Sequence, residues 1–363
     1  LSFFIFQHVA LFPRELWPRA IGVNGMLRIE GQKMSKSKGN FLTLREVVDR
    51  FGADVVRLTL ALGAEDMDDP DWREENARSI DARLKSLYAF INQVVSLSGE
   101  DEIRSIDRWL LSVLQNRIRT VTEAIKRLKT RTAAETALYE VWNDIRWYLR
   151  RREKPNPKVL RNVVDVWVRL LAPFAPFLCE ELWSTLGNKG FISLAEWPTY
   201  DESKINVKAE ETEILIKSLI DDTLNIIRVT KVAPKKIHYY VAAEWKWKTY
   251  IKLLEMAVSE KINMREAMKA LMKDPELKRM AKSLAPFVSR LIEELNILPE
   301  ERKRRLLEAG VINELAEISE AKKFLEKEFN AEIIVYREDD PEKYDPRGKA
   351  RQAKPHKPAI YIE

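Results

Sequence analysis

The chain has 363 residues, 62 Lys and Arg against 56 Asp and Glu (net charge +6), one Cys and three His. No apolar run approaches the ~18 residues of a membrane-spanning helix, and one cysteine cannot staple a disulfide scaffold, so both classes are excluded. At 45% apolar residues the chain can bury two or three cores.

Glycine, at 11 residues, is too scarce for a turn-rich sandwich and favours long helices. The lone Cys179 implies a reducing, cytoplasmic setting, and no structural metal is expected in this chain. The opening stretch 1–12 is apolar (Phe3, Phe4, Ile5, Phe6, Val9, Leu11) but lacks the basic leader and cleavage site of a secretory signal. It reads as a helix buried mid-protein, with its partner strands in another part of a longer chain or in a separate subunit. Pro13 and Pro18 then turn the chain toward Ile21 and Val23, as in the remnant of an α/β core.

Residues 31–40 form a cationic loop with Lys33, Lys36 and Lys38 and no apolar periodicity. Thr43 with Glu46 three positions later is the signature of a capping box opening a helix, which Gly52 closes. The five acids of 65–71 around Pro70 read as turn chemistry at a domain edge rather than as a binding signal. Amphipathic helices follow: Ile80, Leu84, Leu87, Ile91 and Val95 recur at helical steps, as do Ile106, Trp109, Leu110, Val113, Val121, Ile125 and Leu128. With 134–149, 159–171 and 211–227 they predict an antiparallel helical bundle.

Beyond Lys231, 237–241 is β-prone, and Trp245, Lys246, Trp247 and Lys248 alternate with a period of two, which predicts a strand with both tryptophans packed on one face. Helices are predicted at 250–258, 264–272, 276–295 and 311–328, then a strand at 332–336. The run 300–305 reads as a solvated helix start, and His8 and His238 as structural residues. The tail 341–357, with six basic and two acidic residues, is predicted to lie on a surface or on a partner.

Residues 33–37 spell KMSKS, followed by Lys38, Gly39 and Asn40. An exact pentapeptide arises by chance roughly once in several thousand chains of this size. A cluster of three lysines is ordinarily a solvated loop, but this one resembles the second signature of class I aminoacyl-tRNA synthetases, whose mobile loop closes over ATP. When an amino-acid carboxylate attacks the α-phosphate in line, negative charge grows on the bridging and pyrophosphate oxygens, where mobile ammonium groups stabilise it. Lys36 is the candidate for the main phosphate contact and Lys33 for the second. Ser35 and Ser37 would be hydroxyl donors, Met34 would pack the loop, and Gly39 would leave it free to move.

The segments LSFFIFQHVALF, GVNGMLRIEGQKMSKSKGN, FGADVVRLTLALGAEDMDDPDW, LLAPFAPFLCEELW and KPAIYIE are similar to the leucyl-tRNA synthetases of archaeal and eukaryotic cytosolic type. The resemblance spans the whole chain and implies a mainly α protein. Residues 1–32 would be the C-terminal end of a Rossmann-type α/β catalytic core and 33–75 the KMSKS loop with a stem-contact region. Residues 76–231 would be the helical tRNA-binding bundle, of anticodon-binding type, and 232–363 a small α/β tRNA-binding domain. The HIGH-type ATP motif, the leucine pocket and the editing insertion of the family are absent from this sequence. The resemblance therefore implies ATP with its Mg2+ and tRNA-Leu as partners, and no activity without the N-terminal half. The competing class is a synthetase-derived RNA-binding protein with no catalysis of its own.

Two basic stretches are candidates for tRNA. Arg146, Arg150, Arg151, Arg152, Lys154, Lys158 and Arg161 are interleaved with Trp147 and Tyr148, against one acid, Glu153. Such contacts position a nucleic acid without reading it. The tail adds Arg347, Lys349, Arg351, Lys354 and Lys357, with His356 and Tyr361 as candidates to stack on an unpaired base.

Overall fold

A computed structural model describes residues 1–99 and 101–363, with Lys38 as backbone only. The protein is mainly helical, with two three-stranded sheets among the described residues. None of these residues forms a helix long and apolar enough to cross a membrane. The chain divides into two compact units, residues 1–98, 114–143 and 157–200 in the first and 99–113, 144–156 and 201–363 in the second.

In the first unit, the stretch after Leu1 is helical over Ser2–Leu11, but none of that helix is buried, and Phe3 and Leu11 are 84% and 75% exposed. The expectation of a buried helix is corrected on this point: the segment is largely apolar, and none of the described residues buries it. The strands Arg28–Ile29 and Gln32–Lys33 pair antiparallel, and Arg28–Ile29 also pairs parallel with Asp71–Trp72. The two residues that join the hairpin, Glu30 (φ 50°) and Gly31 (φ 77°), both have positive φ, as a two-residue type I′ turn requires.

The predicted capping box is present at the start of Leu44–Phe51: Thr43 accepts from the Glu46 N–H, and the Glu46 carboxylate accepts from the Thr43 N–H. The helix Glu74–Val95 buries Ala77, Ile80, Leu84, Leu87, Ile91 and Val94, one face at helical spacing. A π-helical turn at Thr136–Glu140 frees backbone carbonyls from the regular ladder, and the Trp167 indole donates to one of them, Ala137 O, at 2.6 Å. Cys179 is fully buried, and burial pushes its thiol well up.

The second unit is built on a sheet whose central strand, Lys236–Val241, pairs parallel with Glu332–Arg337 and antiparallel with Ala359–Ile362. The parallel pair needs a long crossover, and the helices Glu244–Ser259 through Lys322–Phe329 supply it. The strand predicted for Trp245 to Lys248 is instead the start of the helix Glu244–Ser259. Four alternating residues fit either period, and Tyr250, Leu253, Leu254 and Ala257 continue a helical face into the core. The packing role expected of the tryptophans is present: Trp247 lies in that core and Trp245 packs against it.

The helices predicted at 276–295 and 311–328 are each split, into Pro275–Arg279 with Ala281–Ile297 and Glu314–Glu320 with Lys322–Phe329. The run 300–305 is not merely solvated. Arg302 makes a bidentate pair with Glu211 at 2.5 and 2.6 Å, Arg305 bridges Glu210 and Glu211, and the ammonium of buried Lys303 donates to Ala257 O at 3.1 Å.

Candidate functional site

The hairpin presents the 33–37 loop, and the acidic run 65–71 holds the hairpin. Asp69 accepts from the Met26 N–H at 2.8 Å and pairs with Arg28 at 2.6 Å. Those contacts, Arg28 first, hold its carboxyl below the usual carboxylate range. Asp71 accepts from the Gly31 N–H at 2.8 Å, and the Gly25 N–H donates to Asp68 O at 3.2 Å. A side chain at Gly25 would put its Cβ 2.4 Å from Asp68 O, so only glycine allows this approach. The reading of 65–71 as turn chemistry alone missed this role. No local signal in the sequence links those acids to a loop some 40 residues earlier.

Within the loop, Lys33 ends a strand and Lys36 opens the 3-10 turn Lys36–Lys38, which closes at Gly39 with φ 70°. Asn40 ties the loop shut: its Oδ1 accepts from the Ser35 N–H at 2.9 Å, and its Nδ2 donates to Lys33 O at 3.1 Å. The Ser35 and Ser37 hydroxyls lie 2.8 Å apart. Met34 and Ser35 are half-buried, while Lys33, Lys36 and Ser37 are exposed. Neither Lys33 nor Lys36 forms an ion pair among the described residues, and the Lys36 ammonium rests over the Phe41 ring, 5.1 Å from its centroid. Lys33 and Lys36 thus place two exposed positive charges on this loop.

The candidate nucleic-acid residues divide into exposed and internal groups. Arg146, Lys154, Lys158 and Arg161 are exposed. Arg161, in the first unit, donates to Val95 O at 3.0 Å and Leu97 O at 3.2 Å. Arg150 is exposed and pairs with Glu328. Arg151 and Arg152, by contrast, are internal, which corrects their reading as phosphate contacts.

The Arg151 guanidinium forms a fork on Glu213 at 2.9 and 3.1 Å, and Trp147 Nε1 donates to the same carboxylate at 2.8 Å. Arg152 pairs with Asp107, both side chains almost fully buried, and donates to Glu102 O and Lys154 O at 2.9 Å. Tyr148 completes this hub: its hydroxyl donates to Asp107 at 2.7 Å and accepts from the Asn156 N–H, and burial pushes it up to about 12. Buried on their carboxylate partners, the two guanidinium groups are withdrawn from the surface a phosphate can reach.

The tail is folded rather than loose. Asp345 accepts from the Lys349 and Ala350 N–H groups at 2.7 and 3.0 Å, and Ala350 and Ala353 are buried with Tyr240. Arg347, Arg351 and Lys357 are exposed; Lys349 and Lys354 are half-buried, Lys354 pairing with Glu294 at 2.5 Å. His356 cannot stack on a base, because its ring is packed against Trp247 and Tyr250 at 5.0 and 5.5 Å. Tyr361 is half-buried on the sheet, with the Arg347 guanidinium 5.9 Å from its ring centroid. His238 is buried among Tyr336, Tyr344 and Tyr361, but neither of its ring nitrogens has a hydrogen-bond partner among the described residues, so the satisfied structural histidine expected there is met in its burial alone.

Comparison with known proteins gives the chain's relatives. A family model for the anticodon-binding domain of tRNA ligase matches residues 107–240, and one for class I tRNA synthetases (M) matches 5–93. The leucine–tRNA ligase of Pyrococcus abyssi is 43% identical over 370 aligned residues, which take in all of this chain and 36% of that protein. That of Methanococcoides burtonii is 38% identical over 369, again all of this chain and 38% of the relative. A solved LeuRS–tRNA–LeuAMS ternary complex from Agrobacterium radiobacter K84 aligns over 56% of this chain and 27% of its own at 28% identity, with a TM-score of 0.48. The chain thus spans little more than a third of the length of these curated relatives. Along its entire length it is homologous to the C-terminal part of the leucine–tRNA ligases, which are class I aminoacyl-tRNA synthetases.

Proposed function

We propose that this chain is the part of a cytoplasmic leucine–tRNA ligase that supplies the KMSKS loop and the tRNA-binding surfaces, working with an N-terminal part that holds ATP and leucine. The observation that carries the reading is the pair of exposed ammonium groups, Lys33 and Lys36, without ion-pair partners among the described residues, on a loop pinned at both ends. In this role they meet the α-to-γ phosphates of ATP. As the leucine carboxylate attacks the α-phosphorus and the bond to pyrophosphate breaks, Lys36 takes up the charge that develops on the leaving oxygens, with Lys33 beside it. Lifting Lys36 from Phe41 costs only about 0.5–1 kcal/mol at an exposed site, so the present arrangement suits a loop that moves onto its ligand. Mg2+ would arrive with the nucleotide; no described group of three or more His, Cys, Asp or Glu is placed to hold a metal.

Residues 33–75 then act as the loop and stem-contact region, 76–231 as the helical tRNA-binding bundle and 232–363 as the C-terminal tRNA-binding domain. The match of residues 107–240 to an anticodon-binding domain supports the middle assignment. The phosphate-facing cations of this reading are Arg146, Arg150, Lys154, Lys158 and Arg161, with Arg347, Lys349, Arg351, Lys354 and Lys357 in the C-terminal domain. Binding of tRNA should weaken steeply with added salt.

The test is leucine-dependent exchange of pyrophosphate into ATP, with this chain supplied together with the N-terminal part of such an enzyme. Exchange should appear on mixing. Lys36→Ala should lower its rate about a hundredfold or more while leaving leucine affinity within twofold, because the contact strengthens only as charge develops. Equal losses in rate and leucine affinity would contradict the role. Binding of tRNA without any rescue of exchange would favour a non-catalytic RNA-binding protein instead.

A further inference from the structure

The C-terminal part of the second unit contains a cleft of about 560 Å³, lined in part by Arg351 and Lys354, whose aromatic wall has no role in the reading above. Its apolar wall is an aromatic pair, Trp245 on the helix Glu244–Ser259 and Phe287 on Ala281–Ile297, with ring centroids 5.4 Å apart at 73°. Both rings are half-buried; the Lys246 ammonium lies 5.7 Å from the Trp245 centroid and 5.5 Å from that of Phe287, on the side of the fold's interior, and the accessible part of each ring lines the cleft. Arg290 and Arg351 stand exposed on the lining, and the Ser283 hydroxyl and Gln352 amide lie alongside.

The charge balance decides what the cleft can hold. Its acids are neutralised from within the fold: Glu338 by the buried Lys246 at 2.6 Å, Glu294 by Lys354 at 2.5 Å and Asp339 by Arg337 at 2.9 Å. Arg290 and Arg351 have no ion pair among the described residues, so the cleft is left with two uncompensated guanidinium groups. A flat ring system attached to an anion satisfies all of this: aromatic side chains stack it, a hydroxyl and a primary amide read its edge, and two cations take the phosphate. Unpaired nucleotides are recognised in this way, since a base inside a duplex offers no free face.

We propose that this cleft holds one unpaired nucleotide of a bound RNA, its base against Trp245 and Phe287 and its flanking phosphates on Arg290 and Arg351. The inference rests on the reading of the chain as a tRNA-binding protein and adds to it a requirement for a single-stranded feature. Phe287 and Trp245 govern the preference for unpaired RNA, whereas the arginines contribute to any polyanion.

The experiment measures binding of the full chain, by fluorescence anisotropy in about 0.1 M salt, to a mixed-sequence RNA decamer, to the same sequence as a blunt duplex, and to whole tRNA. The decamer should bind more tightly than the duplex. Phe287→Leu, which keeps the apolar volume but removes the ring, should weaken the decamer about tenfold and the duplex less than twofold, in keeping with the ~1–3 kcal/mol that stacking is worth. Arg290→Ala with Arg351→Ala should weaken both, and Arg265→Ala, an exposed arginine outside the cleft, neither.

A decamer carrying 4-thiouridine should photo-crosslink to peptides containing Trp245 or Phe287. Crosslinks confined to other peptides, or equal losses for decamer and duplex in Phe287→Leu, would overturn the proposal, as would competition by an acidic aromatic peptide that single-stranded RNA cannot displace. If wild type binds tRNA and Phe287→Leu binds decamer and tRNA equally well, the cleft assignment falls and the tRNA reading stands. If wild type binds no tRNA, the broader reading falls.

Discussion

Glu314 is buried beside half-buried His356 in the second unit: the His356 backbone N–H donates to the Glu314 carboxylate at 2.8 Å, and the Ala242 backbone N–H adds a longer contact at 3.4 Å. Burial pushes Glu314 up to about 7 from the ordinary 4.5 and His356 down to about 4 from 6.5. The imidazole, neutral when folded, contributes stability that is fully present above pH 6.5 and is lost as pH falls toward 4. The carboxyl, kept protonated by burial, contributes stability that is full below pH 4.5 and is lost as pH rises through 7. Each complete titration is worth about 3 kcal/mol. His356→Gln should therefore flatten the acid limb of a stability–pH curve, and Glu314→Gln the limb between pH 4.5 and 7, as read from urea midpoints; an acid limb unchanged in His356→Gln would refute the assignment. At the same scale, the basic stretch 146–161 shows why arginines mislead in one dimension. Arg146 and Arg152 are equivalent letters, but the acids that claim Arg151 and Arg152 lie 62 and 45 positions away, at Glu213 and Asp107.

At the scale of single elements, the hairpin 28–33 is the part on which the loop's position depends. Its turn is local chemistry, Glu30–Gly31 with positive φ, but its attachment is not, since Asp69 and Asp71 reach it from across the small sheet. Asp69→Ala should speed hydrogen exchange at the Met26 amide by about tenfold or more, while amides within Glu74–Val95 keep their protection. Unchanged exchange at Met26 would mean that the backbone pairing alone holds the hairpin. The capping box at Thr43 was legible because all its parts lie within four residues. The helix at Glu244–Ser259 was misread as a strand because its first turn shows two tryptophans at alternate positions, and the burial pattern that identifies it begins only at Tyr250.

Taken as a whole, the second unit closes on itself through its final residues. The Lys235 and Lys236 N–H groups donate to Glu363 O at 2.7 and 2.9 Å, and Ala359–Ile362 covers one edge of the central strand. The tail is therefore not a detachable RNA-binding arm. Deleting residues 341–363 should abolish exchange protection across 236–241 and increase binding of a hydrophobic dye, whereas Arg347→Ala with Lys349→Ala should leave both unchanged and lower affinity for tRNA. A truncated chain with an intact, protected 236–241 strand would contradict this account.

The sequence by itself determined the helical character, the capping box, the strands near 237–241 and 332–336, and the motif at 33–37, along with the family it signals. Each of these is a pattern of neighbours, set by local backbone preference or by the chemistry of a short contiguous segment. Only the tertiary structure decided which cations face solvent, which acids hold the loop, and that Trp245 and Phe287 share a cleft with two arginines that form no ion pair among the described residues. Those outcomes depend on groups far apart in the chain, where burial and charge compensation, rather than residue type, set what a side chain can do.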